Sequence, residues 1–151
     1  MPTTSVLPDS TADIIRWLLV NLGVGTNTSL NQAWPLYVSN EPTMPDNVIT
    51  FHDTQGRSDG RSQIDGEIFT HYGFQAMIRS KDHPTGWTKG DQLLYYLSRV
   101  VLNNSVQHPV SLVNYHVVCV THIGSVMSLG TDESSRRSLF SLNAACSLRR
   151  V

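Results

Sequence analysis

The feature that most constrains the fold is a strict alternation of apolar and polar side chains near the C-terminus. Five small or apolar side chains stand at every second position there: Phe140, Leu142, Ala144, Cys146 and Leu148. A period of two places them on one face of a β-strand. The sequence therefore predicts a half-buried strand over residues 138–151, and such a strand requires a sheet with a second layer over its apolar face.

Other segments predict further strands. Residues 67–80 include a second alternating pattern, in which Phe74, Ala76 and Ile78 share a face. Apolar and β-branched runs predict the remaining strands, at residues 34–38, 47–52, 112–123 and 126–129. These strands look antiparallel.

Two segments predict helices. Five apolar side chains recur at helical spacing in the first: Ile14, Ile15, Leu18, Leu19 and Leu22. Asp9 or Ser10 can cap this helix, and Gly23 can end it. A second helix is expected after Pro84, over residues 87–103. The sequence therefore predicts one α+β domain over residues 1–151, in which an antiparallel or mixed β-sheet packs two helices on one face.

The charge balance excludes some partners. Lysine and arginine number 11 and aspartate and glutamate 12, for a net charge of −1. Duplex DNA is held by a concentrated basic face, so specific nucleic-acid recognition is not expected. No apolar run approaches the roughly 18 residues of a membrane span, and no membrane partner is expected. Charged residues make up only 15% of the chain. This predicts a surface partly covered by other subunits, with a weakly charged monomer as the alternative.

The two cysteines, Cys119 and Cys146, do not form a disulfide framework. The first residues lack the basic segment of a secretory signal, which predicts synthesis in the cytosol with reduced thiols. Both cysteines lie on predicted strands, and we expect both to be buried, reduced and unreactive.

Residues 53–66 are rich in glycine and aspartate and predict a long loop. Five charged residues in it are candidates for contacts between subunits: Asp53, Arg57, Asp59, Arg61 and Asp65. Mixed charges can pair across an interface and fix its register. The alternative is a solvated turn.

No catalytic or cofactor motif emerges. Gly56, Gly60 and Arg61 superficially resemble a phosphate-binding loop, but the spacing is one residue short and the lysine is missing. His52 and Asp53 could contribute to the metal site of a small hydrolase, although no third ligand is evident. The sequence predicts neither an enzyme nor a bound cofactor.

Several segments together resemble the minor capsid and tail-completion proteins of tailed bacteriophages. The matching segments are residues 47–56, 59–61, 71–80, 129–132 and 138–144. The resemblance covers roughly residues 45–150 and is weaker over residues 1–44. It rests on short matches and contains no catalytic signature.

Within that family, the chain is most similar to tail terminators, which are small α+β proteins that form a ring, usually a hexamer, at the head-proximal end of a long tail. The resemblance implies a structural virion protein that stops tail-tube polymerisation and joins the tube to the head connector. The implied partners are further copies of the chain, the tail-tube protein and the connector or stopper protein. It implies assembly in the host cytoplasm, and no cofactor. Another neck protein, such as a head-completion, stopper or minor capsid protein, is the alternative.

Overall fold

A computed structural model describes residues 7–27, 34–61, 68–121 and 123–150, and at residues 57–61 and 68–70 it describes the backbone. Two helices and seven strands follow one another in the order α1 (Thr11–Asn21), β1 (Leu36–Val38), β2 (Val48–Arg61), β3 (Ile68–Ser80), α2 (His83–Tyr95), β4 (Asn104–Gln107), β5 (Asn114–Thr121), β6 (Met127–Thr131) and β7 (Ser138–Arg150). A π-helical turn, Tyr96–Val100, extends α2. No helix in these described ranges is both long and apolar enough to cross a membrane.

The seven strands form one mixed sheet. Its order is β1-β2-β3-β7-β5-β4, and β6 pairs with β7 outside this path. β1 and β2 are parallel, and the other strand pairs are antiparallel. The structure thus confirms the α+β class. Of the two expected arrangements, antiparallel or mixed, the sheet is the mixed one, because the chain returns from β1 to β2 through residues 39–47 and not through a tight hairpin turn.

Both helices cover the same face of the sheet. α1 packs on β1, β2, β3 and β4, and α2 packs on β3 and β7. The predicted faces of β3 and β7 join the stripe of α1 in one apolar cluster. Phe74, Ala76 and Phe140 have no exposed surface. The apolar alternation of β7 therefore marks the face on which the helices pack.

The start of each helix is fixed by a side-chain cap. Ser10 caps α1 by accepting a hydrogen bond from the Asp13 amide at 3.2 Å. Asp82 caps α2 by accepting from the Thr85 amide at 2.9 Å. The predicted start of α2 at residue 87 is wrong, because Pro84 belongs to the first turn. A proline is compatible with a first turn, where its missing N–H would have no intrahelical partner.

The region after α2 differs from the prediction in two ways. The short strand β4 occupies residues that were not expected to form a strand, and β5 is shorter than residues 112–123. A bulge between Val117 and Cys119 shifts the register of β5 against β7. Val117 and Val120 are therefore buried, and Cys119 is only half-buried.

The two thiols consequently differ. Both cysteines are free, and Cys146 is fully buried as expected. Burial raises the pKa of the Cys146 thiol to about 12, and the neighbouring Cys119 acts in the same direction. The expectation of burial is confirmed for Cys146 and is wrong for Cys119, because the bulge turns Cys119 off the core face.

The predicted loop over residues 53–66 is wrong over most of its length. β2 continues without interruption to Arg61, so Asp53, Arg57, Asp59 and Arg61 all lie within a strand. Residues that are typical of loops form a strand here because they pair with β3 in antiparallel fashion. The register shifts between Thr54 and Arg57 and between Ser58 and Arg61 fall where the glycines lie. Asp65 lies outside the described residues.

Candidate functional site

The outer parts of β2 and β3 form a two-stranded extension, here called the arm, made of residues 55–61 and 68–71. The arm strands pair with each other at Arg57–His71, Ser58–Thr70 and Arg61–Ile68. β1 leaves β2 after Phe51, and β7 leaves β3 beyond Tyr72. Within the described residues, the arm therefore has no third strand. A ribbon of two strands is only marginally stable in water.

The base of the arm is a close crossing of the two strands. A β-carbon added at Gly56 would lie 2.5 Å from the carbonyl oxygen of His71, and one added at Gly73 would lie 2.6 Å from that of Gln55. Real β-carbons essentially never come this close to a backbone atom. The register shift between Thr54 and Arg57 falls at the same place. Glycine is thus required at the point where the arm leaves the sheet.

Asp53 connects this base to the first helix. Its carboxylate accepts a hydrogen bond from the Ala12 amide at 2.9 Å. The free amides of a first turn carry partial positive charge, so a carboxylate is favourable there. Beside it lies a shallow cavity of about 310 Å³ lined by residues of the N-terminal segment, β2 and β3, among them Asp9 and Tyr72. The structure therefore uses Asp53 within the subunit, and its predicted contact with another subunit stays a prediction.

A second polar cluster joins the start of α1 to the β4–β5 connection. His108 is buried, and its Nε2 lies 2.5 Å from Asp13 and 3.6 Å from Asp9. The hydroxyls of Ser111 and Tyr115 each donate to Asp9 at 2.6 Å. We call Asp9, Asp13, His108, Ser111 and Tyr115 the clasp. Its two aspartates lie about a hundred residues before its other three members, so the clasp holds the start of α1 against the β4–β5 connection and β5.

The clasp shifts the ionisation of two of its members. Burial acts to raise the pKa of Asp9, but hydrogen bonds from Ser111 and Tyr115 and the nearby His108 outweigh it, and the pKa lies below its usual value. Burial, together with the bond to Asp9, raises the pKa of Tyr115 to about 12. Asp9 is therefore held as the carboxylate and Tyr115 as the neutral phenol.

The clasp has the composition of a metal site but not its hydrogen bonding. Asp9, Asp13 and His108 place one ligand atom each within 4.8 Å of one another. However, the amides of Val110 and Ser111 point at Nδ1 of His108, at 3.2 and 3.3 Å. An amide can donate only to an unprotonated ring nitrogen, so the neutral ring carries its proton on Nε2. That proton occupies the position of a metal ion, and the cluster fits a structural hydrogen-bond network.

The histidine and aspartate proposed for a hydrolase are not brought to a common site. His52 and Asp53 are neighbours on β2, and consecutive strand residues point to opposite faces of a sheet. Among the residues that the structure describes, neither belongs to a group of three His, Cys, Asp or Glu side chains that could share an ion. The geometry at these positions offers that function no support.

Apolar side chains are exposed on β6 and on the connection between β4 and β5. All five residues of β6 are exposed, with Met127 at 56% and Leu129 at 47%. Val110 and Leu112, between β4 and β5, are also exposed. Throughout the described ranges, β6 pairs with β7 alone. An edge strand with exposed apolar side chains is a site where another chain can add.

Two features of the structure were not predicted from the sequence, namely the clasp and a buried cation, Lys89. The clasp leaves no local signal, because its residues meet only through the fold. Lys89 could have been found, since it lies one turn before Leu93 on the face of α2 that also carries Gly86 and Leu97.

No protein-family model matches the chain, and a search of curated proteins also finds no match. A function is therefore inferred from the residues and their geometry.

Proposed function

We propose that the protein is a structural virion subunit, and specifically a phage tail terminator that forms a ring at the head-proximal end of the tail tube. The observation that carries this proposal is the arm. It is a charged two-stranded ribbon that lacks a third strand within the described residues. A partner that pairs with it would supply the stability that two strands lack.

In the described part of the chain, a second unpaired strand edge, on β6, supports an assembly of identical subunits. β6 presents a second open edge with exposed Met127 and Leu129. The arm and β6 are different surfaces, so a contact that joins one to the other is heterologous. Heterologous contacts between identical subunits close into rings when the rotation permits it.

The remaining support comes from the sequence. The resemblance to phage tail-completion proteins covers parts of β2, β3, β6 and β7, and these include part of each open edge. Only 15% of the residues are charged, which suits a surface that is covered by neighbours. In this proposal the partners are further copies of the chain, the tail-tube protein and the head connector, and no catalysis is involved. By analogy with tail terminators, six copies form the ring.

Native mass spectrometry of the protein and electron microscopy of virions test the assignment. We expect a closed ring of this chain at the upper end of the tail. A ring found between the head and the terminator position would instead identify another neck protein. A chain that stays monomeric both in solution and inside intact virions would contradict the proposal.

Variants of the arm test the surface itself. Arg57 and Arg61 lie on the arm, and a guanidinium can hold a neighbour's carboxylate with two hydrogen bonds. Replacing both with alanine should leave the free energy of unfolding within about 0.5 kcal/mol of wild type. The yield of complete particles should fall about tenfold or more, as expected when interface arginines are lost.

A charge-matched control separates the arm from a general effect of charge. Arg99 and Arg136 are exposed and lie in the π-helical turn and in the turn after β6. The double variant Arg99→Ala/Arg136→Ala should assemble at close to the wild-type yield. Equal yields from the two double variants would show that the arm is not a contact surface.

A further inference from the structure

An open groove between Trp34 and the first turns of α2 contains a buried cation without a counter-charge. The groove has a volume of about 640 Å³ and is lined by Trp34, Pro84, Thr85, Thr88, Lys89 and Gln92. This volume falls within the roughly 300–1,000 Å³ that is typical of small-molecule sites. It lies on α2 and belongs neither to the arm nor to the clasp.

Lys89 is the chemical centre of the groove. Only 9% of its surface is exposed. Its ammonium donates to the Val24 carbonyl and, at 2.8 Å, to the Gln92 side-chain oxygen. In the described part of the chain no carboxylate lies within 4.0 Å of it. An ammonium has three N–H groups, so one donor remains after these two bonds.

The surroundings of Lys89 supply more donors and an aromatic wall. The Gln92 amide nitrogen and the Thr88 hydroxyl have no hydrogen-bond partner among the described residues, and both line the groove. The Lys89 ammonium lies 5.5 Å from the centre of the Trp34 ring. Burial lowers the pKa of Lys89 to about 8, which shows how little its charge is compensated by the protein itself.

We propose that this groove binds a small organic carboxylate whose body is flat and apolar. The carboxylate would accept from Lys89, Gln92 and Thr88 and neutralise the buried charge, while the body lies against Trp34 and Pro84. A phosphate fits the lining less well, because it carries close to two charges and prefers several cations or a bidentate arginine. Asp82, at the N-terminal end of the groove's helix, is occupied as the helix cap.

The composition of the chain allows a direct test. Its two lysines are Lys81 and Lys89, and Lys81 is exposed. In protein labelled with ¹³C and ¹⁵N at lysine, NMR reads the pKa of each side-chain ammonium separately. Titration with benzoate should shift the Lys89 signal saturably and raise its pKa, because a carboxylate favours the charged form. The Lys81 signal should stay unchanged and serves as the internal control.

Two further probes identify what the groove recognises. Benzamide has the shape of benzoate without its charge and should bind about tenfold more weakly or worse, a difference of about 1.4 kcal/mol. Inorganic phosphate should leave the Lys89 signal unchanged. No saturable shift with benzoate, equal binding of benzamide, or an equal response to phosphate would each overturn the proposal.

A pair of variants completes the experiment. Lys89→Met should abolish benzoate binding, measured by fluorescence of the tryptophans, and Lys81→Met should retain it. Near-ultraviolet circular dichroism checks that both variants are folded. If Lys89→Met does not fold, the titration of the wild-type protein still decides the question. The proposal does not depend on ring assembly, so its failure would leave the proposed function intact.

Discussion

The two halves of the β2–β3 pair are built from the same two strands and differ in what flanks them. In the inner half, β1 and β7 pair with the outer edges of the two strands. The helices cover this half, and Ile49, Phe51 and Phe74 are completely buried. In the arm, the two strands pair only with each other within the described residues, and His71 at its base also forms a side-chain hydrogen bond with Ser147 of β7 at 3.1 Å. Pairing alone thus sets the path of a strand, whereas flanking strands and an apolar cover supply its stability.

The strongest test of this contrast compares a phenylalanine from each half. Phe74 lies in the inner half of β3 with its ring 6.5 Å from that of Phe51, and Phe69 lies in the arm part of β3. Phe74→Ala should lower the free energy of unfolding by about 3–5 kcal/mol, because it removes buried surface and leaves a cavity. Phe69→Ala should cost less than about 1 kcal/mol. Urea unfolding measures both, and equal costs would show that the arm is part of the core.

A smaller effect is expected at the boundary between the halves. Gly56→Ala should cost about 1–3 kcal/mol, since the new methyl group would push against the His71 carbonyl and force the strands apart. Amide hydrogen exchange should quicken in the arm and stay slow in β7. Gly124→Ala is the control, because its methyl group would come no closer than 3.7 Å to any neighbour. If both variants are equally stable, the close crossing is not a constraint.

The smallest effect concerns the clasp that fastens α1 over the inner half. Asp9→Asn removes a charged acceptor of two hydrogen bonds and should cost about 1 kcal/mol at pH 7. The pKa of Asp9 is lower in the folded protein, so its contribution is fully present above the unfolded value of about 3.9. That contribution is lost as the pH falls through the folded value.

The measurement is the difference in unfolding free energy between wild type and Asp9→Asn at pH 7 and at pH 3. The difference should shrink at the lower pH, because pH 3 lies below the unfolded value of about 3.9, where the contribution of the carboxylate is no longer fully present. Asp91→Asn, on the exposed side of α2, should show no comparable change. A difference that grows on acidification would mean that Asp9 is not stabilised as a carboxylate.

Sequence patterns predicted the parts of the fold that depend on local periodicity. The stripe of α1 and the alternations of β3 and β7 each report one buried face, and the structure confirms all three. The extension of β2 to Arg61 could not be predicted, because its glycine and aspartate residues favour loops and only the pairing with β3 makes them a strand. The bulge in β5 could not be predicted either. One extra residue in a strand moves every later side chain to the opposite face, and the types of residue in the strand do not reveal where this happens.

The candidate sites were less predictable than the fold. The charged residues of the arm were chosen as candidates because positive and negative charges alternate there. Their position in a strand was not predicted. The clasp unites Asp9 with Tyr115, 106 residues apart, and no local pattern announces such a contact. Lys89 lies between recognisable helix positions, yet a lysine on a buried face is uncommon enough to be assigned to solvent by default.

The close crossing of Gly56 and Gly73 at the base of the arm also sets the direction in which the arm extends from the sheet. Residues 55–61 span about 20 Å at the usual strand rise of about 3.3 Å per residue. A swing of about 10° at Gly56 and Gly73 would therefore displace the tip by about 3 Å, roughly one residue along a strand. In such a swing the crossing would be the point about which the arm turns. In a ring, a fixed pivot would define the angle between successive subunits, and a yielding one would let the same subunit fit rings of slightly different curvature.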